Sequence, residues 1–274
     1  MIHLELRGVT FTYPGGTRAL DGIDLAIQPG ERVAIIGQNG SGKSTLVRHL
    51  DGLLRPDEGA VLHDGADIRD ERVARLAGRV GVVFQNPDRQ IFSGRVRSEV
   101  AFGPRMLGRR DPELGEAVRA ALDAVGLADL ADANPYDLGY SRRKLLALAS
   151  ILAMGTPVVV LDEPTTGQDL RGIRRVQAIV DGVAAEGRTV IAVSHDMRFV
   201  AETFERVVVM AAGRIVLDGP PSEVFAEAAW PVLASTYVEP PLPARVGARL
   251  GLPSTPTEAS LVAAVAGRTG PKGP

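Results

Sequence analysis

Apolar and polar positions alternate through the first part of the chain. Ile2, Leu4 and Leu6 are followed by Val9, Phe11 and Tyr13, and later by Leu20, Ile23, Leu25 and Ile27. Near-twofold spacing puts these side chains on one face, which predicts antiparallel strands with a single buried side. Turns at Pro14-Gly15-Gly16 and Pro29-Gly30 punctuate them. The pattern then changes. "RVAII" (32–36), "VGVVF" (80–84), "VVVLD" (158–162) and "TVIAVS" (189–194) are short continuous apolar runs, as expected of strands covered on both faces. Helical periodicity separates them, starting with a helix from about Ser44 that carries Leu46, Leu50 and Leu53. Strands alternating with helices predict an α/β core with a parallel sheet.

Between Gln85 and Thr156 the strand runs stop. The helical patterns "DPELGEAVRAALDAVG" and "RRKLLALASILAM" replace them, predicting a helical subdomain inserted at about 86–157. "RVVVMAAGRIVLDG" (206–219) reads as a hairpin, so residues 1–219 form one expected domain. Residues 220–274 turn rich in Pro and Ala. They are expected to make a small C-terminal extension of two or three short helices, with the last few residues frayed. No internal repeat is visible.

Composition narrows the classes. The chain has 274 residues, 45% hydrophobic and 23% charged, which is ordinary for a globular protein. A net charge of −2 supplies no field that would recruit nucleic acid. With no cysteine, disulfide frameworks and thiolate metal sites are excluded, and a reducing compartment is expected. "MIHLELRGVT" lacks a signal-peptide layout, and apolar runs such as "LLALASILAM" are too short to span a bilayer. Among 31 basic residues only Lys43, Lys144 and Lys272 are lysines, so a lysine in this chain is expected to have a local reason.

One lysine has such a reason. "GQNGSGKS" comprises Gly37, Gln38, Asn39, Gly40, Ser41, Gly42, Lys43 and Ser44, with Thr45 next in the helix. Glycines allow tight turns and close backbone approach, so main-chain N–H groups surround a polyphosphate at a helix N-terminus. Lys43 reaches the terminal phosphates, and the Ser44 hydroxyl ligates Mg²⁺. A second constellation is "VVVLDEP": a buried strand delivers Asp162 to the metal shell and Glu163 to the attacking water. His195 in "AVSHD" and Gln85 after "VGVVF" end two other strands at the same crevice. His195 is a candidate for the γ-phosphate or the water, and Gln85 for the Mg²⁺ or water shell.

These motifs, with Leu138–Arg142 and Asp169 in "TTGQD", occur in the order and rough spacing of an ABC transporter ATP-binding subunit, which the chain resembles over residues 2–219. The resemblance implies a P-loop NTPase, RecA-like α/β core with an N-terminal antiparallel β subdomain, the inserted helical subdomain and the small extension. It implies ATP hydrolysis with Mg²⁺, stacking of Tyr13 on adenine, and contact of Asp169 with an opposite subunit. Such subunits pair, with ATP between the glycine loop of one and the signature of the other. The usual signature is Leu-Ser-Gly-Gly-Gln. Here Leu138 is followed by Gly139 for the serine, Tyr140 and Ser141 for the glycines, and Arg142 for the glutamine. Either Ser141 and its N–H replace the lost donor with Tyr140 turned aside, or this half-site is weak.

"VFQNPDRQIFSGRVRSEVAFGPRMLG" (83–108) and the tail resemble the energy-coupling-factor type of vitamin and metal importers. That implies a cytoplasmic-face, peripheral subunit. Its partners would be a second ATPase (hetero- or homodimer), a transmembrane coupling protein and a substrate-binding membrane protein. The tail would help pair the ATPases. Of the apolar Ile91, Phe92, Val96, Val100 and Phe102, two readings stay open: a groove for the membrane partner, or packing of about half of them within the helical subdomain. Three alternatives stay open: an ATPase of another ABC transporter type, a soluble ABC protein acting on nucleic acid or ribosomes, and a non-hydrolysing pairing subunit.

Overall fold

The computed structural model describes residues 1–269. The chain opens with β1 (Leu4–Thr12), β2 (Arg18–Ile27) and β3 (Arg32–Ile36) and enters α1 (Lys43–Leu50). It returns through β4 (Glu58–His63), β5 (Ala66–Asp67) and the single-turn α2 (Val73–Leu76) to β6 (Val80–Val83). Three helices follow, α3 (Val96–Met106), α4 (Glu113–Val125) and α5 (Tyr140–Met154), before β7 (Val158–Asp162). Next come α6 (Leu170–Ala185), β8 (Thr189–Val193), α7 (Met197–Thr203) and the hairpin β9 (Arg206–Ala211) with β10 (Arg214–Gly219). The last helices are α8 (Pro221–Val224), α9 (Trp230–Ser235), α10 (Leu242–Arg249) and α11 (Glu258–Thr269). The frayed end expected for the last few residues, with Lys272, lies outside the described residues.

Two sheets organise the molecule. One is antiparallel, in the order β2-β1-β4-β5. The other runs β10-β9-β3-β8-β7-β6; all its pairings are parallel except β10 with β9. The continuous apolar runs are explained by cover on both faces. Val33, Ile35, Val158 and Val160 face the antiparallel sheet together with Leu46 and Leu50 of α1. Ala34, Ile36, Val159 and Leu161, one position out of phase, pack with Leu146 of α5, Val176 of α6 and Val200 of α7. A strand period of two thus feeds two cores from one sheet. The α/β class with an antiparallel sheet and helical elements is as expected.

Three local differences have physical causes. β4 and β5 have no clear alternation, and residues 61–63 are buried in succession. β4 joins the sheet because Gly59 has no side chain: a Cβ there would lie 2.3 Å from the Arg7 carbonyl of β1. α1 stops at Leu50, earlier than its apolar spacing suggests; Gly52 takes φ +74° and Leu53 is half exposed. The five apolar residues of the expected groove divide: Ile91, Val96 and Val100 pack into the core, while Phe92 and Phe102 are exposed.

Buried titratable groups gather around the end of α1. His49 donates from Nδ1 to the Thr45 carbonyl and His63 from Nε2 to the Leu50 carbonyl, and burial pulls both rings below the ordinary range. Asp51 accepts from the Leu53 N–H, and burial pushes its carboxyl up to about 6. The signs oppose. A depressed histidine weakens the fold as pH falls through the unfolded value. A raised carboxyl contributes stability at low pH that is lost as pH rises through about 6. Asp51→Asn keeps the acceptor and removes only the second effect. Relative to the parent, the variant is expected to gain roughly 2–3 kcal/mol between pH 4 and pH 7. Urea denaturation of both proteins across that range checks it; a pH-independent difference refutes it.

Candidate functional site

The glycine loop joins β3 to α1, at the carboxyl end of the central parallel strand. Its glycines are required by contact as well as by torsion. Gly37 has φ +143°, and a Cβ there would sit 2.2 Å from the Met210 carbonyl of β9. Gly42, the N-cap of α1, has φ +104°, and a Cβ would come 2.4 Å from the Ala19 carbonyl. Lys43 reaches back across the loop, donating to the Gly37 carbonyl at 2.7 Å and the Gln38 carbonyl at 2.8 Å. Burial pulls its ammonium below the ordinary lysine value, while Glu163 and Asp162 act in the other direction.

A cavity of about 260 Å³ opens over this loop. Asn39, Gly40, Lys43, Ser44 and Thr45 line it with Tyr13, Gln85, Asp162 and Glu163. Tyr13 stands at its side, its hydroxyl 3.1 Å from Thr45 Oγ1 and its ring edge-to-face with Phe11. Ser41 is buried beneath the loop, its Oγ 3.4 Å from the Lys43 ammonium. The structure therefore brings together, from β1's end, the loop, β6's end and β7, residues that are far apart in sequence.

The acidic pair sits where β7 ends. Asp162 is half-buried, and its carboxyl is raised first by burial and then by neighbouring Glu163. Glu163 is buried with φ +51°, in the left-handed region. Its Oε2 lies 2.7 Å from His195 Nδ1, at ion-pair distance but without hydrogen-bond alignment. The His195 side chain is otherwise largely exposed. Gln85 is exposed and lines the same cavity. Ser44, Gln85 and Asp162 present hydroxyl, amide and carboxylate oxygens, the hard donors that suit Mg²⁺ beside phosphates and water. The raised Asp162 carboxyl fits that set, because a cation beside two crowded acids removes their mutual repulsion.

No residue of Leu138–Arg142 lines this cavity, but Tyr140 lines an adjoining one with Ser44, Gln85 and Asp162. Leu138 is buried; Gly139 is the N-cap of α5. Tyr140 opens the first turn of α5. Its ring packs on Gly167, where a Cβ would come 2.7 Å from it, and its hydroxyl points at the Gln85 carbonyl at 3.5 Å. Ser141 Oγ donates to Gln168 Oε1 at 2.7 Å, and Gln168 Nε2 donates back to the Ser141 carbonyl at 3.1 Å. Arg142 is exposed. Asp169 is also exposed and caps α6 by accepting from the Gly172 N–H at 2.8 Å.

Several contacts were not foreseen from the sequence. Gln90 bridges β6 and α5, accepting from the Phe84 N–H and donating to the Ala147 carbonyl, both at 3.0 Å. Gln168 engages Ser141. Lys144 is buried in α5 and donates to the Glu163 and Thr166 carbonyls. For Lys144 the scarcity of lysine was the one available signal.

A glycine loop between a parallel strand and a helix, facing an acidic strand end, defines a P-loop nucleotide hydrolase. Known proteins carry this further. Residues 20–166 match the family described as ABC transporter. The energy-coupling factor transporter ATP-binding protein EcfA of Methanothermobacter thermautotrophicus is 43% identical over 82% of this chain and 73% of its own length. Its namesake from Methanocaldococcus jannaschii is 41% identical over 83% and 82%. Some relatives are far longer: this chain spans 39% of a putative ABC transporter ATP-binding protein from Methanosarcina acetivorans. Among solved structures, cbiO1 from Clostridium perfringens, part of the ABC transporter complex cbiONQ, superposes with a TM-score of 0.76 at 36% identity. The match covers 91% of this chain and 98% of that one. A dimeric ATP-binding cassette bound to ADP and Pi gives 0.73 at 26% identity, covering 79% and 98%. The chain belongs to the ABC transporter family. It is an ATP-hydrolysing, ATP-binding subunit of that family.

Proposed function

We propose that this chain is the ATPase of an energy-coupling-factor type importer for a vitamin or metal ion. The observation that carries the reading is the convergence of Lys43, Ser44, Gln85, Asp162 and Glu163 on one cavity. Main-chain N–H groups of residues 37–44 and the end of α1 bind the phosphates of ATP, and Lys43 neutralises the terminal ones. Tyr13 stacks on the adenine. Ser44, Asp162 and Gln85 hold Mg²⁺, which supplies charge neutralisation to the phosphates when bound. Glu163 orients and polarises water for attack, and His195, beside its carboxylate, keeps that side chain in place or meets the γ-phosphate.

Lys43→Ala tests the reading. Loss of a charge-assisted bond of about 1.5–3 kcal/mol predicts roughly 10- to 100-fold weaker binding of Mg-ATP. Isothermal titration reads it; parent-like affinity and hydrolysis would remove the loop from the account.

Two such subunits pair, each signature meeting the other's ATP, with Asp169 at the contact. N–H groups of Tyr140, Ser141 and Arg142 precede the first helical bond of α5, made by the Arg143 N–H, and serve the phosphate. The Ser141 hydroxyl proton is engaged by Gln168, so the main chain carries most of that role. The altered signature favours a heterodimer whose other ATPase has the regular one. Residues 1–219 are the ATP-binding domain, with the helical subdomain at about 86–157, and residues 220–274 help pair the subunits.

No helix among the described residues is long and apolar enough to cross a membrane. In this reading transport runs through a transmembrane coupling protein and a substrate-binding membrane protein. Phe92 and Phe102 stack edge-to-face at 4.7 Å, both exposed. Phe102 sits on α3, and buried Glu99 of the same helix fixes the loop of Phe92 by accepting from the Phe92 and Ser93 N–H groups. This rigid apolar patch docks the transmembrane coupling protein and passes on the movement between nucleotide states. The family alternatives lack such support from segment 83–108.

A further inference from the structure

We propose that Lys144 is a positioning residue for hydrolysis: from inside α5 its ammonium holds the backbone turn that carries Glu163 in the same subunit. The proposal rests on the reading of Glu163 as the water-orienting carboxylate.

Glu163 has φ +51°, a conformation that costs a non-glycine residue energy and persists only where its surroundings impose it. Those surroundings are few. Its N–H donates to the Val193 carbonyl of β8 at 2.8 Å. Its carboxylate lies beside His195. Its carbonyl accepts from Lys144 Nζ. The same ammonium donates to the Thr166 carbonyl at 3.2 Å. One side chain therefore closes both ends of the turn 163–166, whose own bond, Thr166 N–H to the Glu163 carbonyl, is long at 3.3 Å.

Packing alone does not call for a cation here. Lys144 is 4% exposed, and its neighbours Leu145, Leu146 and Leu148 are buried hydrocarbon. An ammonium in such a place loses its hydration, and burial pulls Lys144 down to about 8. A leucine or methionine would fill the space without that cost. What the lysine adds is a positive charge beside Glu163 and Asp162, which act against the burial, and a pair of directed bonds to two carbonyls of the turn. Other residues of the same helical face reach the rest of it: the Tyr140 ring packs on Gly167, and Ser141 exchanges hydrogen bonds with Gln168. The first two turns of α5 thus grip residues 163–168 at four points. A displacement of α5, the element whose N-terminal amides face the partner's ATP in the proposed pair, is carried by Lys144 to the carboxylate of its own site. Two of the four points, Tyr140 and Ser141, belong to the altered signature itself; the two Lys144 bonds lie outside it.

The test uses the tagged full chain as isolated from its host, with Mg-ATP hydrolysis measured against ATP concentration and binding followed with a fluorescent ATP analogue. Lys144→Met is expected to lower kcat about 10- to 100-fold, the scale of a displaced reacting group, with KM and analogue affinity within about twofold of the parent. Lys144→Arg keeps the charge and two donors, and is expected to stay within about fivefold of the parent kcat. Parent-like kcat in Lys144→Met overturns the proposal. So does a rise in KM at unchanged kcat, or an arginine variant as slow as the methionine one. Lys144→Gln stands in should the methionine variant not fold. If neither neutral variant folds, the lysine serves folding and the proposal fails. Glu163→Gln, measured alongside, separates the two readings. Full turnover in that variant removes the role of Glu163 itself, whereas a dead Glu163→Gln beside an active Lys144→Met removes only the role of Lys144.

Discussion

Glu163→Gln leaves ATP bound and stops its hydrolysis: phosphate release by the full chain falls about 10²- to 10⁴-fold, and ATP affinity stays within a few fold. The substitution changes little besides charge and proton affinity. Glutamine matches the size of the buried side chain and keeps its main-chain bonds to Val193 and Lys144. It removes the anion to which the proposed function gives the orienting of water. It also removes the like charge that helps raise Asp162, so the neighbouring carboxyl ionises more easily and metal binding does not weaken. Phosphoryl transfer needs little covalent help from protein and depends on positioning and charge, so the loss appears in turnover rather than in binding. Phosphate release with parallel calorimetry decides the matter. A variant that turns over like the parent would leave His195 or Asp162 to act on the water.

The second large effect is expected from Gly37→Ala. The new methyl would lie 2.2 Å from the Met210 carbonyl and 2.9 Å from Ser41 Oγ, and φ +143° is closed to alanine. Overpacking against fixed main chain and torsional strain each cost about 1–3 kcal/mol, so the loop must shift away from β9. Lys43 is tied to the Gly37 carbonyl and shifts with it. ATP affinity is expected to fall by more than about 100-fold, because every amide donor of the loop loses its alignment together. Gly40→Ala is the control. Gly40 also has positive φ, at +81°, yet open space surrounds its missing Cβ, so only the torsional cost applies and affinity falls far less. Equilibrium dialysis of both variants checks the contrast; equal losses would mean that torsion, not contact with β9, sets the requirement.

The contrast between these glycines separates what the chain shows on its face from what it hides. The pattern of Gly37–Ser44 is local, and so is its chemistry: backbone amides at a helix start bind anions wherever such a loop occurs. The carbonyl that excludes a methyl at Gly37 belongs to Met210, on a strand over 170 residues away, and no reading of the loop reveals it. Strands buried on both faces were legible for the same local reason. β4 was not, because it pairs by virtue of a missing Cβ at Gly59 rather than by apolar alternation. Tyr140, which stands where the usual signature has a glycine, is in the fold the first residue of a helix, laid across Gly167.

By itself, then, the sequence determined the α/β class, the glycine loop, the acidic strand end and the strands buried on both faces, because each is written in residues adjacent to one another. Tertiary structure alone decided which carbonyls Lys144 grips, where the Ser141 proton goes, and which apolar residues of segment 83–108 face outward. Those outcomes depend on contacts between segments that only packing brings together, and a spacing along the chain holds no information about them until the sheet has set the distances.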